Sequence, residues 1–379
     1  MTPHAAISSP GSDADLLDWL RLIRSQNIGP HTFWDLLSRY GTAADALHAL
    51  PEIASRAGRR GKLKLASLHD AQQEYEKLHA YGARLVPCGD PAYPSLLAQV
   101  EAPPPLLTVL GNAAIAGARS IGIVGARNAS ASGRKMAAMM AEGLGRQGVT
   151  IISGLARGID TQAHIASLAT GTVAVTAGGI DVIYPRENKD LHTQISTSGA
   201  VVTEMPFGAE PLARYFPRRN RLISGMSAGV IVIEAAIRSG SLITARFALE
   251  QGRDVFAVPG SPLDQRARGT NELIRNGATL VQSAEDVLDE IEARFSEPDQ
   301  PYLFAAAADT HPASVPETAA YNDDQARKAV TELLSSSPVD IDDIARLSGL
   351  PVSRVLGIIM ELEIAGRALR HPGSRVSAG

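Results

Sequence analysis

Residues 120–160 read SIGIVGARNASASGRKMAAMMAEGLGRQGVTIISGLARGID, and the order of patterns inside this stretch decides the fold. SIGIV has no polar alternation, as expected of a strand buried on both faces. GRKMAAMMAEGLGRQG carries apolar residues three and four apart, the spacing of an amphipathic helix. TIIS is a second buried strand. The alternation continues to about residue 292, where VAVTA, AVVTE, GVIVIE, DVFAV and ATLVQ supply further strands between helical segments. Strand and helix alternating this often specify an extended Rossmann-like α/β fold, a parallel sheet with helices on both faces.

The flanks differ. Residues 13 to about 80 are helical in pattern: LLDWLRLIRSQ and HTFWDLLSRY are separated by IGP, an arrangement similar to a SAM or helix-hairpin-helix module. The hairpin lacks the second glycine of a phosphate-binding hairpin, which favours a cap without a ligand. The Pro-rich passage GDPAYPSLLAQVEAPPPLLTVLGN is expected to be an ordered, extended connector, since proline suits neither a helix interior nor a central strand. Residues 293–320 lose periodicity and gather Pro, Ala and Ser, a linker composition. NDDQARKAVTELLSSS, DIDDIARLSGL and PVSRVLGIIMELEIAG are three helices followed by a wing-like RALRHPGSRV, a winged helix-turn-helix. The expected partition is 1–82, helical module; 83–292, Rossmann-like domain with its Pro-rich entry; 293–320, linker; 321–379, winged helix.

With 379 residues, 45% apolar and 20% charged, the chain has the composition of an ordinary globular protein of two or three domains. One cysteine, Cys88, excludes an internal disulfide framework and indicates a reducing compartment. MTPHAAISSPGSDAD lacks the basic and apolar regions of a signal peptide, and no run approaches the ~20 apolar residues of a membrane helix. A cytoplasmic location without membrane insertion is expected. A net charge of -4 argues against a protein that coats nucleic acid over its whole surface, and leaves room for one local basic site.

Ligands of such sheets bind beyond the carboxyl ends of the strands. Four of those ends are rich in Gly and small polar residues: GARNASASG (125–133), SGLARGID (153–160), AGGID (177–181) and EAAIRSGSLITA (234–245). Backbone N–H groups at such loops and at helix N-termini attract anions, although glycines also serve tight turns. The candidate phosphate contacts are Gly125, Ala126, Arg127, Ser153, Gly154, Gly178, Gly179, Gly240 and Ser241. Arg157 is as readily a solvated loop arginine as a phosphate contact. No G-x-G-x-x-G follows the first strand and no P-loop is present, which weakens the dinucleotide and nucleotidase readings. RYFPRRNR, 214–221, places four arginines and two aromatics in eight positions. Arg214, Arg218, Arg219 and Arg221 with Phe216 and Asn220 suit single-stranded nucleic acid, where guanidinium groups meet phosphates and a ring stacks on an unpaired base. The alternative is a solvated helix start with Phe216 buried and the arginines paired to acids.

GAR, SGLARGID, FPRRNRLISG, EAAIRSGSLITA, GRDVFAVPG and GTNELIRNGA together resemble the DprA/Smf family of DNA-processing proteins. The resemblance extends through both flanking modules. It implies a non-enzymatic role in natural transformation: binding and protecting incoming single-stranded DNA, loading the RecA recombinase onto it, and pairing as a homodimer through the Rossmann-like domain. It further implies that Arg127 and the backbone at Gly125 hold phosphate, that Phe216, Arg218, Arg219, Asn220 and Arg221 line the DNA groove, and that Gly178 and Gly179 complete its rim. Ala126 stands where the family often has Ser. His164 matches the family pattern and is expected to be structural.

No catalytic residue, cofactor or metal site is expected, because no Cys/His cluster or Ser/His/acid trio can be assembled. The chief rival is a nucleotide N-glycosidase-type enzyme using the Gly-rich pocket, with Glu234 as its acid. AGGIDVIYP has two glycines of that enzyme pattern but lacks its G-T-x-x-E sequel. A nucleotide-sensing transcription factor is disfavoured by PVSRVLGIIMELEIAG, whose only basic residue is Arg354. The winged helix is expected to serve protein contact or core packing.

Overall fold

The computed structural model describes residues 9–59, 61–296, 322–371 and 373–379. Four helices come first: α1 (Asp13–Arg24), α2 (Pro30–Tyr40), α3 (Ala43–Arg56) and α4 (Leu68–Tyr81). They lead into β1 (Arg84–Pro87), α5 (Ser95–Ala98) and β2 (Leu106–Gly111). The alternating part follows as β3 (Ser120–Gly125), α6 (Ala131–Arg146), β4 (Thr150–Ser153), α7 (Ile159–Ser167), β5 (Thr172–Val175), α8 (Lys189–Ser198) and β6 (Ala200–Thr203). It continues through α9 (Tyr215–Gly225), β7 (Gly229–Ile233), α10 (Gly240–Glu250), β8 (Asp254–Ala257), α11 (Arg268–Arg275), β9 (Thr279–Leu280) and α12 (Ala284–Ser296). The last elements are α13 (Asp323–Leu333), β10 (Val339–Asp340), α14 (Ile341–Ser348), α15 (Val352–Ala365), β11 (Ala368–His371) and β12 (Arg375–Ala378).

The large sheet has the order β1-β2-β6-β5-β4-β3-β7-β8-β9. From β6 to β9 all neighbours are parallel, as the uninterrupted apolar runs require. Alternate residues face opposite layers. Ile121 and Ile123 of β3 pack with Ala137, Met140 and Leu144 of α6, while Val124 packs with Leu222 and Ile223 of α9 and Ala245 of α10. The chain builds outward from β3 through β4, β5 and β6, then returns to its other side with β7 and β8. The switch point therefore lies at β3, and there a doubly wound sheet opens its binding crevice.

The Pro-rich passage is more than a connector. Its last residues form β2, which pairs antiparallel with β6 and with β1, so the sheet gains two strands at that edge. Pro103, Pro104 and Pro105 all precede the first paired residue of β2, so none removes a hydrogen bond from the ladder.

Two compact units are formed among the described residues, one from those up to Gly11 with His69–Phe295, the other from Ser12–Leu68 with those from Ser296 onward. This grouping runs differently from the four consecutive segments read from the sequence. Helix α4, expected in the N-terminal module, belongs mainly to the sheet unit: Tyr81 meets the Phe207 ring edge-on at 5.9 Å, and Glu74 accepts a hydrogen bond from Phe207 N. Of the expected linker, 293–296 are the end of α12 and the remainder lies outside the described residues.

In the second unit, α1–α3 enclose the edge-to-face cluster of Trp19, Phe33 and Trp34. The winged helix has its three helices and an antiparallel sheet of order β10-β12-β11. The C-terminal half of α15 packs against the N-terminal helices. Asn27, in the turn between α1 and α2, donates to Ile364 O at 3.2 Å, and Arg367 donates to Ala57 O at 3.0 Å. Arg370 bridges Glu363 at 3.2 Å and Asp35 at 3.5 Å. Burial raises the Glu363 carboxyl and Arg370 opposes that rise. At its exposed start the same helix presents Val352 and Leu356, where a DNA-reading helix would carry cations or amides.

Candidate functional site

The loops after β3, β4, β5 and β7 converge at the switch point around an open groove of about 890 Å³. A more enclosed chamber of about 320 Å³ adjoins it. The two share a wall of Arg127, Asn128, Ala156, Tyr184, Phe216 and Arg219, with Pro211.

Close backbone packing builds the groove floor. Gly125 pairs with Ile233 of β7, and a Cβ at Gly125 would overlap the Ile233 carbonyl and meet the Ile159 side chain at 2.6 Å. Gly158 has φ of +78° and packs against the Ala126 and Arg127 carbonyls, a position open only to glycine. These two approaches bring the loops after β3 and β4 into one surface.

Phe216, near the start of α9, is the hub of the wall. The guanidinium carbon of Arg127 lies 5.1 Å from its ring centroid and that of Arg219 5.8 Å, while Tyr184 meets it edge-on at 5.9 Å. Arg127 is exposed, and among the described residues no carboxylate lies within ion-pairing distance of it. It is a cation held on an aromatic platform and open to solvent.

Arg219 is its opposite, buried at 5% exposure. A Cβ at Gly154 would overlap its Nη1, so the guanidinium occupies the space that the glycine leaves. Nη1 donates to Val175 O at 3.1 Å. The charge is balanced by Asp160, whose Oδ2 accepts from Gly154 N at 3.1 Å and Ala156 N at 3.3 Å. Burial pushes the Asp160 carboxyl up, against the pull of Arg219. Burial likewise brings Arg219 down to about 10, with Asp160 opposing, so the guanidinium stays charged near neutrality.

The other arginines of RYFPRRNR are placed differently. Arg221 is largely buried and paired with Glu204, whose other oxygen forms an ion pair with Arg218 at 3.4 Å. Arg214 folds over the neighbouring Tyr215 ring at 5.0 Å. None of these three lines the groove or the chamber. Thus the element splits: Phe216, Arg219 and Asn220 face the groove, while Arg218 and Arg221 are engaged with an acid, as the alternative reading of the sequence foresaw for them. Asn220 donates to Gly240 O at 3.2 Å and ties α9 to the first residue of α10. There Ser239 caps α10 and hydrogen-bonds Ser241, which lines the groove with Gly240.

Gly125, Ala126, Arg127, Gly240 and Ser241 line the groove, and Gly154, Arg157 and Gly178 line the chamber. Arg157 is mostly exposed and paired with Glu187. Gly179 donates to Ala209 O and supports the loop that carries Gly178. Ser153 is fully buried and donates to Ile123 O at 2.6 Å, so it braces β4 against β3 away from both cavities.

Sequence reasoning missed Asn128, Asp160, Tyr184, Arg238 and Arg266 as part of this region. Asp160 stood inside SGLARGID, and its signal was an acid three residues after an arginine in a glycine-rich turn. Tyr184 becomes visible only when its loop folds back on Phe216. Glu234, the candidate acid of the enzyme reading, is occupied by helix α6. Its carboxylate accepts from Ser130 N at 2.8 Å and from the Ser130 hydroxyl, satisfying the helix N-terminus that could otherwise hold an anion. His164 is fully buried. Thr172 commits its one hydroxyl proton to Ile151 O at 2.8 Å, so His164 Nδ1 donates to Thr172 at 2.7 Å, and burial pushes the imidazole down to about 3. Among the described residues, no group of three His, Cys, Asp or Glu could hold a metal ion. No described helix is long and apolar enough to cross a membrane.

Residues 84–292 match the family model described as DNA recombination-mediator protein A. The chain belongs to that family. Residues 13–76 match the DprA-like N-terminal HHH domain, and 314–374 the DprA winged helix domain. Family relatives include Protein Smf of Escherichia coli, 39% identical over 77% of this chain and 76% of its own, and DNA processing protein DprA of Streptococcus pneumoniae, 41% identical over 67% and 90%. The X-ray structure of the Streptococcus pneumoniae protein superposes with a TM-score of 0.62 at 34% identity, over 75% of this chain and 99% of that one. A Helicobacter pylori DNA processing protein A, solved in a study of its single-stranded DNA binding mode, gives a TM-score of 0.51 at 25% identity, covering 56% and 96%.

Proposed function

We propose that this chain is a single-stranded DNA-binding recombination mediator, which binds incoming strands in natural transformation, shields them and loads RecA onto them. The observation that carries the reading is the Arg127–Phe216–Arg219 stack at the edge of the switch-point groove. An exposed cation seated on an aromatic ring neutralises a phosphate and offers a neighbouring base a stacking surface, a combination suited to unpaired strands. Duplex DNA presents no free base face to such a wall. Family membership and the relatives' names support the same reading.

The action is binding rather than catalysis: Glu234 is committed to the α6 N-terminus, and Asp160 is neutralised by Arg219. We assign pairing of two copies to the Rossmann-like domain, and place the site of action in the cytoplasm. The winged helix serves packing and protein contact, since the far half of α15 is used against the N-terminal helices. The test is fluorescence anisotropy of labelled oligonucleotides, single-stranded against duplex, across a salt series. A salt-sensitive preference for single strands, reduced by Arg127→Ala, supports the reading, and equal affinity for duplex overturns it.

A further inference from the structure

We propose that the 320 Å³ chamber beside the groove is a binding site for one free nucleoside monophosphate, through which mononucleotides compete with the strand. The inference rests on the strand-binding reading only for the wall that both cavities share.

The chamber differs from the groove in form and lining. Its volume falls at the lower end of the ~300–1,000 Å³ of small-ligand pockets, large enough for one nucleotide, and it is more enclosed than the groove. Gly154 and Gly178 contribute bare backbone to one side, and Ala177, Val182 and Pro185 make the surroundings apolar. Phe216 and Tyr184 add aromatic surface. A mostly apolar lining suits a nucleobase better than an inorganic anion.

The polar groups lie where a nucleotide needs them. Arg219, nine-tenths buried, lines the chamber and spends Nη1 on Val175 O, while its Nε has no partner in the structure. A buried guanidinium with unmet donor capacity is costly unless an acceptor reaches it, and a base oxygen or a phosphate oxygen supplies one. Asn128, at the shared wall, carries both a donor and an acceptor for a base edge. Arg127, exposed above the wall, is placed to meet a 5′-phosphate. Since Arg127, Phe216 and Arg219 also border the groove, occupation of the chamber withdraws them from a strand.

The experiment is calorimetric titration of the full chain with AMP and with dTMP, beside inorganic phosphate and adenosine, together with displacement of a labelled single-stranded oligonucleotide. One nucleotide per chain is expected, with phosphate or nucleoside alone weaker by about tenfold or more, and with displacement of the strand. Val182 lines the chamber and not the groove. Val182→Phe should therefore weaken nucleotide binding by about tenfold and leave strand affinity unchanged; Val182→Leu, a smaller intrusion, keeps the test open if the larger side chain impairs folding. Strand binding without nucleotide binding overturns this inference alone, as does phosphate binding as tightly as AMP. Loss of strand and nucleotide affinity in parallel in either variant also overturns it. Wild-type protein that binds neither ligand sinks the proposed function as well.

Discussion

Replacing Gly154 with Ala tests whether the site depends on the buried Arg219. A Cβ at that position overlaps Nη1 of Arg219 and comes within 2.8 Å of Asp160 Oδ2, so the guanidinium must leave its seat. It then loses its bond to Val175 O and moves out of the field of the Asp160 carboxylate. Leaving a buried charge uncompensated costs about 3–5 kcal/mol, and partial relaxation of a long side chain puts the expectation at ~3 kcal/mol. For a unit of this size each kcal/mol lowers the melting midpoint by roughly 2–4 °C, giving about 6–12 °C. The assay is a double-mutant cycle in thermal and urea unfolding, with strand affinity measured alongside. Arg219→Ala vacates the space that the new methyl needs, so the double variant should cost no more than Arg219→Ala alone. That is a coupling of about 3 kcal/mol, the upper end of what contacting residues show. Additive costs, or a Gly154→Ala penalty under ~1 kcal/mol, would refute the reasoning, because the methyl would then have found room without moving Arg219.

Arg127→Ala should flatten the salt dependence of strand binding by about 0.7 in log–log slope, the share of one phosphate on a single strand, whereas Arg221→Ala, already paired with Glu204, should leave the slope unchanged. Glu204→Gln should release Arg218 and Arg221, raising low-salt affinity and steepening the slope, read by the same anisotropy series. Burial raises the Asp160 carboxyl, so the folded state holds its proton more tightly than the unfolded chain and stability falls as pH climbs through that interval. Arg219→Ala enlarges the rise, and its penalty in urea midpoint should grow with pH above the usual aspartate range. His164 acts in the opposite sense: pushed down to about 3 from an unfolded value near 6.5, it contributes stability that is lost as pH falls through that window, and His164→Asn should flatten the acid limb of a midpoint-against-pH curve.

The fold was legible because its signals are local. Unbroken apolar runs such as SIGIV and GVIVIE mean strands covered on both faces, and Gly-rich junctions mean turns at their carboxyl ends, so the parallel sheet and its binding edge follow from spacing alone. The flanking helices and the wing follow from the same periodicity. What the chain alone could not settle was which partner each polar side chain takes. RYFPRRNR reads as four equivalent cations, yet Arg219 is drawn inward by Asp160 and the bare backbone of Gly154, Arg218 and Arg221 meet Glu204, and Arg127 from another loop supplies the exposed charge. Each of these partners comes from a distant strand end, so the pairings exist only once the sheet has closed. The same holds for Glu234 at the start of α6 and for the placement of α15 against the N-terminal helices. Periodicity determines which face of an element is buried, but charge pairing depends on which loops meet, and only the assembled sheet decides that.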